Sequence, residues 1–459
     1  MLGGLRVIAA GTSLITASVP AADVVSLDWR PPAWGDQRAT RDLMQLTGPS
    51  VDEANLRAMA LVHAVRPHLL GVRPAIDVIP DMPRKGLLHA GPPIAWEQMC
   101  GPMQGALIGA TLFEGWAKDE PSARALLGSG EVPLGPCHDH STVGPMAGVV
   151  SPSMSVFVVG DGDRFAFATL NEGLGKVLRF GAFDDEVLER LQWLRVVMGP
   201  TIDQALQETG PIDITTLIAQ ALSMGDEGHN RNLAATSLLA RRLAPVLAQA
   251  PDGASALQFL AANDHFALNI SMAAAKLALD AAADVPGSSL VTVMCRNGVE
   301  FGIRVAGTGD RWFTAQVGPA TGLFFPGFGP EHANPDLGDS SITETLGLGG
   351  FAMAAAPAIT RFVGGTAADA IATTQAMRRI TIAEHPVYQL PTLGFAGTPS
   401  GIDVRKVVET GVLPVINTGI AHKEAGVGQI GAGTVTAPSE VFVQALAALA
   451  QHDLDRGKG

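Results

Sequence analysis

Residues 224–232 read Met-Gly-Asp-Glu-Gly-His-Asn-Arg-Asn and set Asp226, Glu227, His229 and Asn230 between two apolar runs, 217–224 and 233–248. An imidazole beside carboxylates can move a proton, and a side-chain amide can donate to a carbonyl oxygen. If a helix starts near Asp226, helical spacing puts Asp226, His229 and Asn230 on one stripe with Leu233, Ser237, Ala240 and Ala244. That stripe continues in small residues suited to close packing, so the polar trio points inward. Inward titratable groups cost free energy unless they are paired or used. The plainer reading of the same residues is a helix cap with a satisfied buried network.

Further clusters compete for chemistry. Asn417 ends an apolar run and is followed by His422, Lys423 and Glu424, then by Gly426, Gly428, Gly431 and Gly433. Three of these glycines match GxGxxG in letters, but that fingerprint must link a strand directly to a helix, and Pro438 follows instead. What remains is a glycine loop, with Gly428 and Gly431 in it, whose N–H groups can hold an anion. His89 ends a strand-like run before Gly91-Pro92-Pro93 and suits either a site wall or packing. Pro136-Cys137-His138-Asp139-His140 puts thiol, imidazole and carboxylate side by side. A metal there needs more ligands from elsewhere, because these spacings match no closed zinc site. Asn171 and Glu172 precede Lys176 and Arg179, which makes either a site wall or a surface ion-pair ladder. Arg296, beside Asn297, and Arg304 are cations in apolar surroundings, suited to clamping carboxylate or phosphate. No nucleophile elbow, P-loop, HExxH or CxxC pair is present.

The elements that must position these residues follow from periodicity and punctuation. Strand-like runs at 6–10 and 24–29 suggest a short β-α-β start. The apolar stretch 5–15 before Ser18–Ala22 imitates a signal peptide but is broken by Gly11, Thr12 and Ser13. Strands and short helices alternate from 86 to 183, with a hairpin turning at Gly160–Asp163. Helical patterns fill 184–282. Strands return after 287 as a meander turning at Asn297-Gly298, and a helix closes the chain at 439–454. The expected fold is α+β and multidomain: a segment 1–36, an α/β domain 37–183, a helical domain 184–282, and an α/β domain 283–459 with glycine-rich loops.

The net charge of −13 without a basic run argues against nucleic acid as a partner. The most apolar stretches, 141–160 and 345–360, are interrupted, so no membrane span is expected. Three scattered cysteines give no disulfide framework and suit a reducing cytoplasm. No residue is assigned as a metal ligand; the cofactor is open, with magnesium as the candidate.

Several longer stretches carry a resemblance. Leu88-His-Ala-Gly-Pro-Pro93, Leu112-Phe-Glu-Gly-Trp-Ala-Lys-Asp-Glu120, Asn171-Glu-Gly-Leu-Gly-Lys176, Met224-Gly-Asp-Glu227, Gly338-Asp-Ser340 and the 417–434 region resemble the large (YlbE-like) subunit family of bacterial oxamate carbamoyltransferase, over about residues 50–450. Residues 1–36 are extra, and Asp28-Trp29-Arg30-Pro31-Pro32 resembles a segment of a companion subunit. The resemblance implies interconversion of oxalurate and phosphate with oxamate and carbamoyl phosphate, in allantoin breakdown. It also implies a homo- or hetero-oligomeric assembly whose companions include a succinyl-CoA-synthetase-like chain. It carries no catalytic residue set across, and the Ser-x-Arg-Thr phosphate motif of the aspartate and ornithine carbamoyltransferases is missing.

Carbamoyl transfer needs cations or N–H groups for small anionic substrates, donors for the carbamoyl oxygen, and a base for a poorly nucleophilic amide. Arg296 and Arg304 are therefore assigned to anion clamping, and the Gly426–Gly433 loop with Lys423 to phosphate. His229 or His422 is the base, oriented by Asp226 or Glu424. Asn230, Asn297 and Asn417 are the candidate donors, Glu227 is a further catalytic candidate, and His89, Asn171 and Glu172 line the cleft. Two other readings stay open: a non-catalytic scaffold that completes a partner's site, and an enzyme acting on another ureide-like acid.

Overall fold

The computed structural model describes residues 7–10, 24–27 and 36–456. Strands Val7–Ala10 and Val24–Leu27 pair in parallel, as a β-α-β start requires; the Asp28–Pro32 motif lies outside the described residues. The rest is a multidomain α+β fold built from several small sheets with helices between them.

One five-stranded sheet runs in the order Ile212–Asp213, His68–Pro74, Ser155–Asp161, Arg164–Thr169, Thr142–Val143. Its hairpin turns between Asp161 and Arg164, and Gly162 adopts the positive φ of 60° that the two-residue turn needs. The expected meander is present as Val291–Asn297, Glu300–Val305 and Phe313–Gln316, with Leu337–Gly338 added at the edge. Asn297 makes its turn: its Oδ1 accepts from Val299 N (3.0 Å) and Glu300 N (2.7 Å). A third sheet places Gln429–Thr436 between Thr321–Phe324 and Val415–Ala421.

Helices dominate residues 185–280, yet this region shares its core with the sheets. Helix Phe266–Asp280 is buried along its length up to Leu279. It lies against Ser155–Asp161, Arg164–Thr169 and helix Ile342–Leu346. The largest apolar cluster accordingly joins Val62, Phe157, Leu243, Phe266, Leu348 and Leu390. Each such side chain removed from water contributes roughly 1.5–3 kcal/mol. No helix among the described residues is long and apolar enough to cross a membrane.

Residues 225–232 depart from the expected helical stripe. The helix begins only at Leu233. Gly225 and Gly228 have φ of 94° and 86°, outside the helical region. The Glu227 carboxylate gathers the backbone N–H groups of His229, Asn230 and Arg231, which a helix would have committed to carbonyls. The stretch is a tight loop closed by its own side chain.

Candidate functional site

The loop residues divide into cap and centre. Asp226 Oδ2 accepts from Ala235 N at 2.9 Å and so caps the helix starting at Leu233; the cap reading holds for this residue. Burial pushes its carboxyl up to about 6. Glu227 is fully buried, and its Oε1 also accepts from Asn417 Nδ2 at 3.2 Å. Burial pushes the Glu227 carboxyl up to about 7 against the pull of His229, and the nearby Glu344 charge adds to the rise. Asn230 Nδ2 donates to Thr418 O at 3.2 Å. The helical region and the 415–421 strand are thereby tied together at the loop.

His229 is oriented by a residue that sequence reasoning did not select. Its Nδ1 lies 2.9 Å from both carboxylate oxygens of Glu344. Glu344 is fully buried and also accepts from Gly350 N (2.9 Å), Asn417 N (3.1 Å) and Thr343 Oγ1 (3.0 Å). The chain folds back over it through Gly349, at φ 55°. A Cβ on Gly349 would stand 1.9 Å from Glu344 Oε1, so only glycine admits the carboxylate there. A carboxylate on Nδ1 makes that nitrogen the N–H donor and leaves Nε2 with a lone pair. Nε2 makes no hydrogen bond to any described residue. Such an arrangement can serve chemically as a carboxylate-oriented general base.

Of the remaining expected residues, some converge on this centre. Asn417 bridges Glu227 and Glu344, as above, and its own Oδ1 is buried without a partner. Glu172 is buried and holds Leu178 N and Arg179 N; burial raises its carboxyl, with Arg179 opposing. Glu172 and Arg179 are therefore internal, and only Lys176 makes the surface pair, with Asp184. Asn171 is held by Asn263 and Asn269. His265 is driven down to about 3 by burial, with Arg179 and His229 pushing the same way. His265 therefore lies within electrostatic range of both Arg179 and His229.

Other expected residues have their partners outside this network. Arg296 is fully buried, with Nε on Asp336 Oδ2 (2.7 Å), Nη1 on Gly338 O (2.8 Å) and Nη2 on Thr418 Oγ1 (3.3 Å). It is a structural ion pair behind the site rather than an open clamp. Arg304 pairs with Asp139 and Asp310. Asn297 is spent on its turn and on Pro92 O. Lys423 donates to Glu331 O. His422 Nδ1 accepts from Glu424 N and its ring stacks on His332, so neither His422 nor Glu424 joins the His229 network. Gly431 lies within Gln429–Thr436, a central strand whose backbone serves ladders on both sides. It is glycine because a Cβ would meet Leu323 O at 2.4 Å. Gly428 closes the hairpin, accepting from His422 N. The glycine run is therefore a hairpin device. His89 is buried with Nδ1 on Ala90 O (3.0 Å), and burial lowers its pKa although Asp339 pulls the other way.

Comparison with known proteins fixes the relationship. A family model described as oxamate carbamoyltransferase subunit AllG matches residues 132–340. The chain is 52% identical over 413 residues to the oxamate carbamoyltransferase subunit AllG of Escherichia coli K12, covering 88% of this chain and 98% of that protein. The chain belongs to the AllG family. It is also 46% identical over 434 residues to the uncharacterized protein YahG of the same organism, covering 92% of each. A crystal structure of a conserved protein of unknown function from Enterococcus faecalis V583 superposes with a TM-score of 0.86 at 49% identity, covering 88% of this chain and 98% of that one.

Within this AllG-family chain, sequence reasoning missed Glu344, His265, Asp336 and Asp339. Glu344 had a signal: it is the only charged residue between Asp339 and Arg361. A lone carboxylate in so apolar a run must be buried against partners or used.

Proposed function

We propose that this chain supplies the proton-transfer centre of an oxamate carbamoyltransferase-like enzyme that interconverts oxalurate and phosphate with oxamate and carbamoyl phosphate. The observation that carries the reading is the buried His229–Glu344 dyad in a chain of this family. In the phosphorolytic direction a phosphate oxygen forms a bond to the carbamoyl carbon. The carbon–nitrogen bond to oxamate breaks, and His229 Nε2, which has taken the proton of the attacking hydrogen phosphate, delivers it to the departing amide nitrogen. In the reverse direction Nε2 takes that proton as the amide attacks. Nδ1–H remains on Glu344 throughout and stabilises the imidazolium as it forms.

Glu227 keeps His229 in place by fixing its backbone. Asn417 Oδ1, buried without a partner, suits the N–H of a substrate amide or carbamoyl group. Arg179, whose Nε is buried without a partner, is the cation assigned to the substrate carboxylate. Companion subunits, including a succinyl-CoA-synthetase-like chain, a cytoplasmic setting and a place in ureide breakdown belong to the same proposal.

The test is oxalurate phosphorolysis by the assembled complex carrying His229→Asn. The expected loss is roughly 10²-fold or more, the usual worth of a positioned acid–base group. A complex that assembles normally and works at near wild-type rate refutes the proposal.

A further inference from the structure

A second group of chemically capable residues lies apart from His229. The sequence offered Cys137-His138-Asp139-His140 as a metal candidate that lacked further ligands. The fold supplies two from distant segments. His138 comes from the turn Cys137–His140, Cys295 from strand Val291–Asn297, and Asp339 from the residue after strand Leu337–Gly338. Their ligand atoms all lie within 4.8 Å of one another, and all three residues are buried.

The three groups are positioned as metal ligands require. Asp339 is fixed by Gly91 N on Oδ1 (2.7 Å) and Gly144 N on Oδ2 (2.9 Å), which still leaves lone pairs on both oxygens. His138 is 2% exposed, and neither of its ring nitrogens has a hydrogen-bond partner. Its Nε2 is 3.4 Å from Asp339 Oδ1, outside hydrogen-bond geometry. An imidazole buried this way forfeits roughly 1–3 kcal/mol for each unmet polar atom, and a cation on its lone pair would relieve one of the two. Cys295 has only a long contact, 3.8 Å, to Gly302 O.

We propose that His138, Cys295 and Asp339 form a metal centre suited to Zn²⁺. Imidazole, thiolate and carboxylate together match a borderline-soft tetrahedral cation, whereas magnesium takes an octahedron of oxygens. The charges also balance: a thiolate and a carboxylate offset a divalent cation in an apolar interior. Binding releases the Cys295 thiol proton to water. Three protein ligands leave a fourth position for water or a small anion, as in catalytic zinc sites. His138 also lines a cavity of about 470 Å³, together with Lys276, Arg304 and Trp312. Arg304 Nε and Trp312 Nε1 are buried without partners and belong to residues that line the same cavity as His138, which offers donors to an anion bound there. The centre is independent of the His229–Glu344 reading, and either can fail without the other.

The test is metal content of the full-length chain, loaded with Zn²⁺ and dialysed against metal-free buffer, by inductively coupled plasma mass spectrometry. Near-stoichiometric zinc is expected in the wild type, falling to background in His138→Gln and Cys295→Ser. Cobalt(II) in place of zinc should give a thiolate-to-cobalt charge-transfer band that Cys295→Ser abolishes. The wild-type measurement stands even if a variant fails to fold. A wild type that retains no zinc and shows no cobalt band overturns the proposal. So does zinc retained equally by both variants, because the metal is then held elsewhere.

Discussion

Replacing Glu344 by Gln isolates the charge of the dyad from its shape. The carboxylate Oε1 accepts from Gly350 N, Asn417 N and His229 Nδ1, while Oε2 accepts from His229 Nδ1 and Thr343 Oγ1. A glutamine carbonyl at Oε1 keeps the first three, and its NH₂ at Oε2 can donate to the Thr343 hydroxyl. The fold should lose only about 1–2 kcal/mol, the worth of one compromised buried hydrogen bond. Catalysis should suffer more, because the imidazolium that forms during proton transfer loses a carboxylate 2.9 Å away. With a few kcal/mol for such a pair at intermediate dielectric, kcat should fall roughly 10²–10⁴-fold. KM should stay nearly constant, because both Glu344 oxygens are already taken by His229, Thr343, Gly350 and Asn417. The assay is steady-state phosphorolysis of oxalurate by the assembled complex, for Glu344→Gln, His229→Asn and the double variant. Residues acting as one unit are not additive, so the double variant should be no slower than His229→Asn alone. A Glu344→Gln enzyme within about threefold of wild type, or a double variant in which the two losses multiply, refutes the dyad.

Three further outcomes follow from the same geometry. Gly349→Ala drives a Cβ to 1.9 Å from Glu344 Oε1 at φ 55°; it should destabilise by roughly 1–3 kcal/mol and lower kcat, read by thermal melting and by the same assay. Folding raises the carboxyl pKa of Glu227 from 4.5 to about 7 and of Asp226 from 3.8 to about 6. The folded state therefore holds protons that the unfolded chain releases, so this stability is fully present below the ordinary carboxyl pKa and is lost as pH rises toward 7. Urea midpoints from pH 5 to 8 should carry that downward contribution, of the order of 3 kcal/mol for Glu227, and Glu227→Gln should flatten it; an unchanged slope would count against it. Arg296→Met should cost about 3–5 kcal/mol by stranding buried Asp336, and Arg296→Met with Asp336→Leu should recover part of that loss in urea denaturation; no recovery would show that the pair is not what holds this region.

Much of the scaffold could be read directly. The 155–169 hairpin, the 291–316 meander and the helix from residue 266 follow from alternation, turn glycines and apolar runs, which are local properties. The loop 224–232 was legible as unusual in composition, but its shape was misjudged. Helical spacing assumes that backbone N–H groups go to carbonyls, and here Glu227 takes them instead. Arg296 and Arg304 looked like free cations because their partners, Asp336 and Asp139, stand 40 and 165 residues away. The glycine run 426–433 looked like an anion loop because glycine serves close strand contact as well as exposed backbone, and only pairing tells them apart.

The sequence alone determined which residue types were available, that His229 and Glu227 sit where polarity is out of place, and which family the chain resembles. Those follow from composition and short-range pattern. The tertiary structure decided that Glu344, 115 residues from His229, is the carboxylate that orients it, and that the ligand atoms of His138, Cys295 and Asp339 come together. Both depend on long-range closure. A side chain's partner is set by where its element packs, and no local spacing records that.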